Sequence, residues 1–144
     1  MMVKYEQAND VEREANVAAV VAAKWGWDLQ KTPTFYKVDF LAFRNGTPRA
    51  WVEIKARHTI SLRQYPHLWL SLGRVSALMR FATDTNLPAY VVFGLSDGIY
   101  AHRLKTPMAY RIEMGGRTDR NDPNDVEPCC CLPQDEFNVI EHAW

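Results

Sequence analysis

Residues 37–57 read KVDFLAFRNGTPRAWVEIKAR, and the reading of this stretch decides the fold. Asn45-Gly46 is a strong hairpin-turn signal, with Lys37 to Arg44 reading as the strand before it and Arg49 to Arg57 as the return strand. Side chains alternate along a strand, so Trp51, Glu53, Lys55 and Arg57 share one face and Val52, Ile54 and Ala56 the other. Glu53 and Lys55 therefore project to the same side. Asp39, on the first strand, lies opposite Glu53 only if the loop has three or five residues; an even loop sets it against Val52 or Ile54. Two carboxylates and an ammonium on one hairpin suit a divalent cation acting on a phosphodiester. A hard cation such as Mg²⁺ takes oxygen ligands, keeps several waters and is commonly held by one or two carboxylates. A neighbouring lysine stabilises charge on the phosphate or helps to position a water.

Working outward, Asn9 or Asp10 caps a helix that runs to about Lys24, with Gly26 just beyond it. Counting from Glu14, the i+3, i+4 and i+7 positions are Val17, Ala18 and Val21, so Glu14 stands on the apolar, inward stripe. A carboxylate there needs a hydrogen-bond partner or a metal to offset its burial. A strand is expected near Trp27 to Lys31. Residues His58 to Leu70 read as irregular, with Tyr65-Pro66 breaking any helix. Ser71 to about Asp84 reads as a helix ended by Asn86-Leu87-Pro88. Ala89 to Leu95 is an almost continuous apolar run, as in a strand buried on both faces. Ser96-Asp97-Gly98 then turns the chain into a strand over Ile99 to Leu104. Met108 to Met114 reads as a further strand, Gly115 to Asp125 as a polar loop, and short strands flank Cys130 and Val139.

The 144 residues form one domain in this reading, large enough for a hydrophobic core. The longest apolar run, Val17 to Ala23, is too short to span a membrane. No basic segment leads into an apolar stretch at the N-terminus, so a secreted protein is not expected and the cytoplasm is. The zero net charge hides an asymmetry: through Arg80 there are 12 Lys and Arg against 7 Asp and Glu, and from Phe81 onward 5 against 10. The basic half carries the hairpin, and a locally basic surface is what phosphate binding requires. Three cysteines stand in a row, Cys129-Cys130-Cys131. In a strand only Cys129 and Cys131 share a face, and no C-x-x-C spacing exists, so zinc is not expected and buried free thiols are.

The order helix, strand, strand–turn–strand, helix, strand resembles that of the PD-(D/E)XK nuclease superfamily. Val38-Asp39 matches the PD element, with valine in place of the usual proline, and Glu53-Ile54-Lys55 matches (D/E)XK. Glu14 matches the acidic residue that many members carry on the first helix. Trp25, Phe35-Tyr36 and the Asp97-Gly98-Ile99-Tyr100 turn are similar to small phage-type and Holliday junction resolvase-like members. The resemblance implies an α/β, restriction-endonuclease-like core over about residues 10–104. That core has a mixed central sheet flanked by helices in α-β-β-β-α-β order, followed by a β-rich extension over 105–144. It further implies that Asp39, Glu53 and the Ile54 carbonyl hold Mg²⁺ or Mn²⁺, with Glu14 binding directly or through a water. Lys55 would act on the attacking water or the phosphate.

The expectation is a metal-dependent deoxyribonuclease acting on structured or branched DNA in phage recombination, repair or genome processing, in the host cytoplasm. Arg57, Arg63 and Arg74 are the candidates for phosphate contacts. A chain this short has little room for a separate sequence-reading module, which favours recognition of shape through the backbone. A resolvase cuts two strands symmetrically, so that version implies a twofold homodimer, with apolar residues of 105–144 as its candidate surface. The alternative is a non-catalytic DNA- or protein-binding module on a nuclease-like scaffold, for which loss of Asp39, Glu53 or Lys55 would have been the sign. All three are present.

Overall fold

A computed structural model of the chain describes residues 8–33, 35–36, 38–116 and 126–142. The element order is α1 (Ala8–Trp25), β1 (Asp28–Lys31), β2 (Phe40–Arg44), β3 (Thr47–Arg57), a short 3₁₀ turn (Leu62–Gln64), β4 (His67–Ser71) and α2 (Leu72–Thr85). Then follow β5 (Ala89–Leu95), β6 (Gly98–Arg103), β7 (Arg111–Gly116), β8 (Val126–Pro133), a second 3₁₀ turn (Gln134–Glu136) and β9 (Asn138–Glu141). A six-stranded sheet has the order β1-β2-β3-β5-β6-β9, in which β3 and β5 are parallel and the other pairs antiparallel. A three-stranded sheet has the order β4-β8-β7. This mixed α/β architecture is the expected restriction-endonuclease-like fold.

The two helices cover opposite faces of the large sheet. Val17, Ala18 and Val21 of α1 pack with Phe40, Ala42, Val52, Ile54 and Val92. Val75 and Leu78 of α2 pack with Trp51, Val91 and Phe93, together with Leu68, Leu70, Cys130 and Leu132 of the small sheet. The alternation of β3 thus separates two cores, and Glu53 and Lys55 belong by parity to the α2 side. β5 is buried along nearly its whole length, as its continuous apolar sequence implies.

Three features differ from the sequence reading. β2 begins at Phe40, because Val38 and Asp39 lie in a bend. A strand, β4, occupies His67–Ser71 where irregular chain was expected. Its HLWLS sequence alternates buried Leu68 and Leu70 with more exposed neighbours, a period of two masked by the preceding Tyr65-Pro66. β7 runs from Arg111 to Gly116, later than expected, and the polar loop over 117–125 lies outside the described residues. The segment after 104 also adds to both sheets: β9 extends the large sheet at β6, and β7 and β8 pair in the small sheet with β4.

The hairpin register is the detail on which the site depends. Asn45 and Gly46 have φ of 51° and 77°, and Arg44 faces Thr47, so the loop has two residues. Continued unchanged, that register would set Asp39 against Val52. A bulge intervenes: Phe43 pairs with Pro48 but Ala42 pairs with Ala50, leaving Arg49 as the extra residue. Beyond it Phe40 faces Val52, and the line of pairing carries Asp39 to Glu53. An even loop with one bulge does the work of an odd loop.

Candidate active site

Asp39 is held from both sides. On the β1 side, the Thr32 N–H donates to the Asp39 carbonyl at 2.9 Å, and the Thr32 hydroxyl donates to the carbonyls of Val38 and Asp39. On the β3 side, the Asp39 carboxylate accepts from the Ile54 N–H at 3.0 Å, the place a residue of β2 would take had that strand started earlier. The backbone and the carboxyl oxygen are thereby both fixed, with the second oxygen Oδ1 left for other partners.

Glu53 is fully buried in the middle of β3. Neither of its oxygens has a hydrogen-bond donor in the structure. Its nearest cations are Lys55 Nζ at 3.4 Å and Arg74 Nε at 3.5 Å, both to Oε2. Burial pushes the Glu53 carboxyl up to about 7; the Asp39 charge adds to this, and Lys55 and Arg74 oppose it. A buried carboxylate whose lone pairs are unused costs several kcal/mol in general terms, so it calls for a compensating cation. Lys55 is half-buried on the same strand face.

Arg74 owes its place to the start of α2. Ser71 caps the helix, its hydroxyl accepting from the Arg74 N–H at 3.2 Å, which makes Arg74 the N3 residue. A cation in a first helical turn is disfavoured by the helix dipole, and Glu53 facing it offsets that cost. The sequence reading took Arg74 for a phosphate contact; the structure brings it to a carboxylate of the site.

The other singled-out residues are more dispersed. Glu14 stands half-buried on α1, one turn before the Val17-Ala18-Val21 stripe, and α1 lies across the sheet from the face of Glu53. Arg57 is exposed at the end of β3, with one guanidinium nitrogen on the Ala56 carbonyl. Arg63 sits on the 3₁₀ turn, near Asp97 and Tyr100 at the β5–β6 turn. His58 is exposed, and His102 is buried against Tyr110. Tyr36 stacks on Phe81, which packs on Trp51, so a row of rings ends at the exposed Phe35 beside the Asp39 segment.

The donor set of the site fits a hard divalent ion: one oxygen of Asp39 and the two oxygens of Glu53, of which Oε2 is ion-paired with Lys55 and Arg74 and Oε1 accepts no hydrogen bond, with those cations limiting the excess of negative charge. The model of the family described as "Phage putative PDDEXK endonuclease" matches residues 1–140. The chain belongs to this family of PD-(D/E)XK nucleases. Among solved structures, a Holliday junction resolvase of the archaeal hyperthermophile Archaeoglobus fulgidus is similar, with a TM-score of 0.51 and 23% identity over 65% of this chain and 71% of that one. At that identity the likeness concerns the fold. A comparison with curated proteins found no match. Divalent metals are in general use among PD-(D/E)XK nucleases. Among the described residues no helix is long and apolar enough to cross a membrane.

Proposed function

We propose that the protein is a metal-dependent deoxyribonuclease that hydrolyses phosphodiester bonds at the Asp39–Glu53–Lys55 site. The observation that carries this reading is the Glu53 carboxylate, fully buried with neither oxygen hydrogen-bonded, beside a second carboxylate and two cations. A structural carboxylate would have acquired donors; this one is kept open.

Asp39 and Glu53 would hold Mg²⁺ or Mn²⁺. The N–H and C=O of one strand residue point to the same edge, so the Ile54 carbonyl faces the Asp39 side, beyond the last paired residue of β2, and would be a further ligand. Glu14 would contribute directly or through a water. When bound, the ion lowers the pKa of a water and polarises the phosphate. Lys55, with three donors close to Glu53, orients that water or receives the charge that builds on phosphorus. Arg74 holds the Glu53 carboxylate in place, and Arg57 and Arg63 extend a cationic path along the exit of β3.

The substrate in this reading is structured or branched DNA in phage recombination, repair or genome processing, within the host cytoplasm. The fold likeness to a Holliday junction resolvase supports it. A symmetric cut implies a homodimer, for which exposed Ile112, Met114 and Val139 of the extension offer apolar surface.

The test incubates the protein with supercoiled, linear, single-stranded and four-way-junction DNA, with Mg²⁺ or with EDTA. Cleavage that needs Mg²⁺ and is lost in Lys55→Ala and Glu53→Ala is expected. No cleavage under any condition, or cleavage that survives both substitutions, would favour the non-catalytic scaffold instead.

A further inference from the structure

The small sheet carries a second cluster of metal-ligating side chains that the nuclease chemistry does not use. In β8, Cys130 points into the α2 core, so Cys131 points to the opposite, outer face. Its cross-strand partners are Trp69 on β4 and Arg111 on β7. Two residues along those strands on the same face stand His67 and Glu113. His67 Nε2 lies 3.0 Å from Glu113 Oε1, and with Cys131 Sγ these atoms all fall within 4.8 Å of one another.

Imidazole nitrogen, thiolate sulfur and carboxylate oxygen are the donor types of zinc, at bond lengths of about 2.0–2.3 Å. A tetrahedral ion with such bonds sets its ligand atoms roughly 3.3–3.8 Å apart, a spacing that small side-chain rotations reach from the observed one. The Glu113 carboxylate is steadied from outside by the Trp69 indole N–H at 2.9 Å; an Arg111 nitrogen at 3.3 Å also touches it in the metal-free chain, a contact given up when the ion binds. The Trp69 ring owes its reach to Gly115, where an added Cβ would come within 2.8 Å of it. His67 and Cys131 also line a surface cavity of ≈ 310 Å³, which gives an ion a way in and leaves a coordination position open to water.

We propose that His67 Nε2, Glu113 Oε1 and Cys131 Sγ form a zinc site, separate from the Asp39–Glu53 centre, that ties β4 to β7 and β8. Binding displaces the thiol proton of Cys131 to solvent and leaves the imidazole proton of His67 on Nδ1. One neighbour must yield: Arg111 donates to that Nδ1 at 3.4 Å, and its side chain, 68% exposed, turns out to water while the ion is bound. The sequence reading set zinc aside because only two of the cysteines share a strand face and no C-x-x-C spacing exists. Strand pairing supplies them from distant positions.

The test adds Co²⁺ to the metal-free full chain and follows the near-ultraviolet thiolate-to-cobalt band. One equivalent should produce the band, and Zn²⁺ should abolish it. Cys131→Ser should remove it and His67→Gln should weaken Co²⁺ binding at least about tenfold. Asp39→Asn and Cys129→Ser should leave it intact, and far-UV circular dichroism should be unchanged in each variant. Arg111→Ala should bind several-fold more tightly. The proposal is overturned if the wild type gives no band, if the band survives Cys131→Ser or unweakened in His67→Gln, or if it disappears with Asp39. Weaker binding in Arg111→Ala would overturn the assignment of Nε2 as ligand. None of these readouts depends on nuclease activity.

Discussion

Two polar side chains are buried among the described residues, Glu53 and His102, and they are treated in opposite ways. His102 is fully partnered: Nδ1 donates to the Glu136 carbonyl at 3.2 Å and Nε2 accepts from the Tyr110 hydroxyl at 2.6 Å, which itself accepts from the Lys105 N–H. Burial lowers its pKa, so it sits neutral and complete. Glu53 is more deeply buried, carries a charge when ionised, and its side-chain oxygens meet only the ion-pair contacts of Lys55 and Arg74 at 3.4 and 3.5 Å, longer than well-formed hydrogen bonds. A polar group placed for the fold is satisfied by the fold. One left open beside Asp39, Lys55 and Arg74 is held for something that arrives later.

The contrast can be attacked by substitution. Lys55→Ala should lower the rate of DNA cleavage on the order of 10³-fold, about 4 kcal/mol of transition-state stabilisation, with the far-UV spectrum unchanged. A rate within a few-fold of wild type would remove Lys55 from the chemistry. His102→Ala should cost about 2–4 kcal/mol in urea unfolding, through the cavity and the orphaned Tyr110 hydroxyl, while the folded fraction still cleaves DNA.

Glu53→Gln should do the reverse, abolishing cleavage while raising stability. The Glu53 carboxyl lies at about 7 in the fold against 4.5 unfolded. The folded chain therefore holds the extra proton between those values, and this group's contribution falls as pH rises from 4.5 through 7. At pH 8 without metal the loss is nearly complete, so the glutamine variant should be more stable by about 3 kcal/mol. At pH 4 the difference should vanish. His102 has the opposite slope: its lowered pKa favours the neutral form, and its contribution is lost as pH falls below 6.5. A glutamine variant less stable than wild type at pH 8 would mean that Glu53 is a satisfied structural group after all. The smallest effect belongs to Ser71→Ala, which should cost about 1 kcal/mol through the lost helix cap.

Local pattern made much of this legible beforehand. The strand face of Glu53 and Lys55, the buried run of β5, the two helices and the Asn45-Gly46 turn all follow from periodicity and turn chemistry within a few residues. What could not be read depends on partners far along the chain. The Arg49 bulge is such a case, because no residue type marks it, yet it alone shifts Asp39 from Val52 to the line of Glu53. Arg74 is another: its helix position was readable from Ser71 onward, but its carboxylate partner lies on β3. β4 was hidden by Tyr65-Pro66 and by pairing with β8, more than fifty residues later. The outer-face alternation of Cys131 was visible, whereas its closeness to His67 and Glu113 required the small sheet.

The central claim, that Glu53 is kept open for a divalent cation, is tested most directly by titrating Mn²⁺ at pH 8 and following the free ion by electron paramagnetic resonance. The comparison is between Cys131→Ser and the double variant Cys131→Ser, Glu53→Gln, so that the outer face of the small sheet adds nothing. Saturable Mn²⁺ binding in the first and a loss of at least about tenfold in affinity in the second is the predicted result. Equal binding in the two would contradict it.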